Sequence, residues 1–107
     1  MAKVTINNQT YKYRFGFGAM LQYERLAGQP LTMESFTDMS VVQYVTVHHS
    51  CLKAGDENYR MTMEALADAM DNPQVRKELD EAAAEELKLW REGNANAEDK
   101  KKQKEKA

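Results

Sequence analysis

The chain holds a single cysteine, Cys51, in 107 residues, which excludes an intramolecular disulfide framework and suits a reducing cytoplasm. No apolar run approaches the roughly 20 residues needed to span a bilayer, and no secretory signal pattern opens the sequence. Histidines number two, His48 and His49. His48 and Cys51 stand i, i+3 on one helix face and both residue types bind zinc, but no second Cys or third His completes a four-ligand set. A packed pair is the simpler expectation, with no metal and no cofactor. Cys51 in mid-helix also lacks the helix N-terminus or exposed elbow that activates a nucleophilic thiol. Gly16 and Gly18 sit in Arg-Phe-Gly-Phe-Gly-Ala, without the lysine, serine or third glycine of a phosphate loop. A tight exit from a strand into a helix explains them instead.

What is present begins with a hairpin. With Asn7 and Asn8 as central turn residues, Val4 stands opposite Tyr11 and Ala2 opposite Tyr13. Parity then gives an apolar face of Val4, Ile6, Tyr11 and Tyr13, and a polar face of Lys3, Thr5, Thr10, Lys12 and Arg14. Asn tolerates the positive φ that a type I′ turn demands. Two strands cannot bury such a face alone, so it must lie on the helices or on another protein. The outer strand edges are further places where a partner or a second copy could add.

Helical patterns follow. Ala19, Met20, Tyr23, Leu26 and Ala27 predict a helix over about 17–27, stopped by Gly28 and Pro30. Residues 28–38 read as a connector with room for a short helical turn. Ser40 caps a helix to Gly55 with a stripe of Val41, Tyr44, Val45, His48 and Leu52; its many valines favour strand, but its length favours helix. Thr62 caps a third, with Met63, Leu66, Ala67 and Met70 on one side. Asn72-Pro73 ends it and starts a fourth, lined by Val75, Leu79, Ala82, Ala83, Leu87 and Trp90 as far as Gly93. The expected fold is α+β but mostly α: an N-terminal hairpin, about four helices, and one domain over residues 1–93.

Charge divides the chain. Residues 1–92 carry 10 basic and 14 acidic side chains, net −4, and residues 93–107 carry 5 and 3, net +2. Between Asp56 and Glu86 ten carboxylates face three basic residues, which reads as a solvated face rather than acid–base machinery. Residues 94–107 contain no large apolar side chain and are expected to be a disordered basic tail. The lysines at 100, 101, 102, 104 and 106 could attract nucleic acid as a small regulatory module. Without aromatics to stack bases and beside an acidic body, that alternative ranks second.

The order of features is more telling than any one of them. Val-Thr-Ile-Asn followed after three residues by Tyr11, then Phe15-Gly16-Phe17, a helix with Leu21 and Glu24 near a Leu-Ala-Gly end, a valine-rich helix closing on Ala54-Gly55, and an acidic helical finish resemble the tail assembly chaperones of long-tailed bacteriophages and prophages. The resemblance covers about residues 3–92, departing at Asn7-Asn8 where the family commonly has Asn-Gly. It implies a small non-enzymatic protein of the bacterial host cytoplasm that coats the tape measure protein before the tail tube polymerises. It also implies self-association, the tail tube protein as a further partner, and for many members a longer frameshifted form. On that reading Val4, Ile6, Tyr11 and Tyr13 are the expected partner-binding residues.

Overall fold

The computed structural model describes residues 2–106, with the side chains of Met33, Glu34 and residues 94–106 outside the described set. Strand β1, Ala2–Ile6, pairs antiparallel with β2, Gln9–Tyr13. The register sets Val4 against Tyr11 and Ala2 against Tyr13, as the alternation of apolar residues requires. Asn7 and Asn8 take φ of 51° and 67°, the double left-handed geometry of a type I′ turn.

Helix α1, Phe17–Ala27, ends on Gly28, whose φ of 73° lets its N–H reach the Glu24 carbonyl at 2.9 Å. The connector contains one 3-10 turn, Met33–Phe36. Helix α2, Val41–Gly55, starts with a reciprocal cap: Gln43 N–H donates to Ser40 Oγ, and Ser40 N–H to Gln43 Oε1. Helix α3, Met63–Ala69, is capped by the Thr62 hydroxyl, which accepts from Ala65 N–H at 3.1 Å. Asn72 Oδ1 accepts from Gln74 N–H at the start of α4, Pro73–Lys106. The α4 backbone thus continues past Gly93 into the segment expected to be a disordered tail. A stretch of that length without a large apolar side chain is marginal as an isolated helix.

The apolar face of the hairpin packs on the chain's own helices, β1 against α4 and β2 against α2. Val4, Ile6, Tyr11 and Tyr13 are all buried there, with Leu52, Leu66 and Leu79. This corrects their expected role as partner-contact residues, because another protein does not reach side chains already enclosed. Three other expectations change in detail. Val41 is 78 % exposed, since the first turn of α2 overhangs the core. Leu26 is about half exposed. Glu86, read as part of a solvated face, is buried, and its carboxylate accepts from the N–H of Ala2 and of Phe15, both at 3.3 Å.

The strand edges are guarded as well. A two-residue turn makes Ile6 and Gln9 a hydrogen-bonded pair, so the N–H groups of Lys3, Thr5, Thr10, Lys12 and Arg14 point outward. Thr5 N–H donates to Glu78 Oε1 at 3.2 Å, Lys12 N–H to Asp56 Oδ2 at 3.0 Å, and Arg14 N–H to the Cys51 carbonyl at 3.1 Å. Little ladder is left for an added strand.

One buried group is not satisfied. The Tyr23 hydroxyl has no hydrogen-bond partner among the described residues, and the side chain is fully buried. Leaving a buried hydroxyl unpaired costs about 1–3 kcal/mol. Tyr23→Phe is therefore expected to be neutral or to stabilise the fold by about 1 kcal/mol, read as a raised urea midpoint; a loss of more than that would show that the hydroxyl has a partner.

Candidate functional site

Two features compete for a functional role: a polar cluster centred on α2 and an apolar groove along α4. The cluster gathers His48 and Cys51, whose spacing suits zinc but whose expected state is a packed pair without metal. The His48 ring is buried; its Nδ1 lies 2.8 Å from the Tyr13 hydroxyl and its Nε2 3.5 Å from Asp80 Oδ1. Tyr44 donates its hydroxyl to the same Asp80 oxygen at 2.6 Å. With Asp80 ionised, Nε2–H faces the carboxylate and Nδ1 accepts from Tyr13. Burial pushes the Tyr13 phenol well above its ordinary pKa, with the neighbouring Cys51 adding to the effect, so it stays a donor.

Cys51 shares this environment, as its spacing from His48 predicts. Burial drives its thiol up to about 12, leaving a small protonated hydrophobe rather than a nucleophile. His49 turns away to the Tyr59 hydroxyl, 2.8 Å from its Nδ1, and burial lowers its pKa. Among the described residues no group of three or more His, Cys, Asp or Glu could hold a metal ion. The line from Tyr13 through His48 to Asp80 joins β2, α2 and α4, and its inner members are sealed from solvent. What it suits is bracing.

The brace carries a pH signature. Hydrogen bonding from His48, then from Tyr44, holds the Asp80 carboxyl below its ordinary pKa. A depressed folded-state value means stability that is present above the unfolded pKa, about 3.9, and lost as pH falls through the folded value. Asp80→Asn is expected to flatten the fall in urea midpoint below about pH 4. An unchanged acid limb would contradict the bond.

The groove begins where the brace reaches the surface. Asp80, 59 % exposed at its side chain, and Tyr44 edge a cavity of about 310 Å³ whose apolar walls include Phe36, Met39, Val47 and Leu87. One turn beyond Leu87, Trp90 meets Phe15 edge-on at 5.8 Å between ring centroids, and Phe15 meets Phe36 at 6.1 Å. Phe17 caps the row, 5.3 Å from Trp90 and 77 % exposed. A second cavity of about 290 Å³ opens there, lined by Arg14, Gly16, Gly18 and Trp90. A Cβ at Gly16 would lie 3.9 Å from Trp90 and one at Gly18 3.7 Å from Ala54, ordinary contact distances, so the packing around these two glycines does not require them.

Sequence reasoning assigned Leu87 and Trp90 to a core stripe and gave Phe17 no role. Period-two alternation places Phe17 on the same face as Tyr11, Tyr13 and Phe15, so only the start of α1 at Phe17 turns its ring outward. The lysines of residues 94–107 lie outside the described side chains. Among the described residues no helix is long and apolar enough to cross a membrane. No family model, no curated protein and no solved structure matches the chain.

Proposed function

We propose that the protein is a non-enzymatic assembly chaperone of a long-tailed bacteriophage or prophage, holding the tape measure protein during tail assembly. The observation that supports it best is the aromatic row of exposed Phe17 and partly buried Trp90, with Leu87 behind it, on a chain whose hairpin-to-helix order resembles that family. Such a row gives protein-contact area without chemistry. The acidic body keeps it from indiscriminate aggregation. Because the hairpin edges are occupied by Glu78, Asp56 and Cys51, copies of the protein would meet through helical surfaces rather than by strand addition.

Co-expression with the tape measure protein of the same genome tests this reading. The expected result is co-purification and a larger soluble fraction of the tape measure protein, both reduced by Phe17→Ser. A tape measure protein that stays equally soluble alone and never co-purifies would refute the role.

A further inference from the structure

Residues 56–61 leave the end of α2 and lie against β2 before Thr62 caps α3. Asp56 fastens the start of this segment, its Oδ2 accepting from the Lys12 N–H at 3.0 Å and its Oδ1 from the Asn58 N–H at 2.9 Å. Tyr59 is the one side chain of the segment that is buried. Its ring meets Tyr11 edge-on, centroids 5.3 Å apart, and its hydroxyl lies 2.8 Å from the His49 Nδ1. The Arg60 guanidinium bonds back onto the segment itself, at the carbonyls of Glu57 and Tyr59. A single side chain therefore plugs the whole segment into the domain.

We infer that residues 56–61 form a strap released by a proton: it closes on β2 while the His49 ring is neutral and lifts when that ring is protonated. The inference stands apart from the holding role above. The His49 ring is buried. Burial lowers its pKa and Lys53 of α2 adds to the effect, while Glu64 of α3 opposes them. From the strap it faces the Tyr59 phenol, kept protonated by its own burial and by Tyr11 of β2. Neutral, His49 accepts the Tyr59 proton at Nδ1. Once it is charged both ring nitrogens donate, so Nδ1 no longer accepts. The cation is then enclosed where, among the described residues, no carboxylate forms an ion pair with it; the one imidazole with such a contact is His48, at Asp80.

Lifting Tyr59 lets water reach the ring. A lowered pKa in the closed state means that the open strap holds the proton more tightly, so opening grows as pH falls through about 6.5. His48 faces Tyr13 and Asp80 rather than the strap. The Asp56 carboxyl, held low by the Lys12 and Asn58 N–H groups, stays ionised in that window. An open strap frees the Lys12 N–H and bares Tyr11, returning part of the β2 edge to strand addition.

Hydrogen exchange of the full chain from about pH 7.5 to about pH 5.5, corrected for intrinsic rates, tests the strap. The Lys12 amide reports it. The Arg14 amide on the same edge is the reference, because it bonds to the Cys51 carbonyl at 3.1 Å and not to the strap. One proton taken up near pH 6.5 raises opening by at most about tenfold over that range. Lys12 protection is therefore expected to fall about three- to tenfold while Arg14 protection holds. His49→Gln keeps a side chain that can meet Tyr59 but takes up no proton, and is expected to level Lys12 across the range. Tyr59→Phe loses the hydroxyl and is expected to speed Lys12 exchange about tenfold at every pH.

A fall at Lys12 outside that span overturns the inference. So does an equal fall at Arg14, which would be unfolding of the domain rather than release of a strap. A fall that survives His49→Gln in a protein of unchanged circular dichroism places the proton elsewhere and overturns it too. The contrast between the two amides needs no variant, so it decides even where His49→Gln fails to fold.

Discussion

Replacing Tyr13 with alanine is expected to lower the unfolding free energy by about 3–5 kcal/mol. That is most of the stability of a domain near the lower end of the usual range. The ring is fully buried on the inner face of the hairpin, so its loss opens a cavity between β2 and α2. The hydroxyl also satisfies His48 Nδ1 at 2.8 Å. Tyr13→Phe separates the two effects, because the ring remains while a buried imidazole nitrogen loses its donor, at about 1–3 kcal/mol. Urea denaturation followed by far-UV circular dichroism measures both. An alanine variant within about 1 kcal/mol of wild type would mean that the hairpin contributes little to the core.

Gly55→Ala is the second large effect, and its sign is diagnostic. Helix propensity alone predicts a gain of about 0.5–1 kcal/mol when glycine in a helix becomes alanine. The strand beside it predicts the opposite: a Cβ at position 55 would stand 2.6 Å from the Lys12 carbonyl oxygen and 2.8 Å from the Arg14 nitrogen. Both are backbone atoms and cannot rotate away as a flexible side chain would. Relief requires β2 to move off the end of α2, stretching the bonds from Lys12 to Asp56 and from Arg14 to the Cys51 carbonyl. The expected net loss is about 1–3 kcal/mol, with faster hydrogen exchange at the Lys12 and Arg14 amides. A stabilised variant would show that the close approach is absent in solution.

Local structure was legible in the sequence wherever one residue type has one physical use. Asn7 and Asn8 supply positive φ, Gly28 a left-handed stop, and Ser40, Thr62 and Asn72 side-chain oxygens for free helix N–H groups. Alternation in the hairpin fixed its register to the residue. What alternation cannot give is the identity of the surface underneath, since that depends on groups some 70 to 84 positions away. The carboxylates show the gap most clearly. Glu78, Asp56 and Glu86 belong to the same acidic run, and a charge pattern treats them alike. Only the fold turns the first two into guards of a strand edge and buries the third. The groove escaped notice for a related reason: a helix stripe marks apolar positions, but whether Leu87 and Trp90 are covered depends on how far the neighbouring connector reaches.

The Glu86 carboxylate joins residues that leave the ribosome far apart in time. Its two backbone donors belong to Ala2 and Phe15, separated from it by 84 and 71 positions. At about 5–20 residues per second, the hairpin is complete roughly 4 to 15 s before Glu86 of α4 is made. Helix α2 arrives early enough to cover Tyr13, but Val4 and Ile6 on β1 wait for α4. Each synthesis thus begins with a stretch in which the hairpin itself needs shielding. Slowing translation between α2 and α4 would lengthen that exposure and lower the soluble yield.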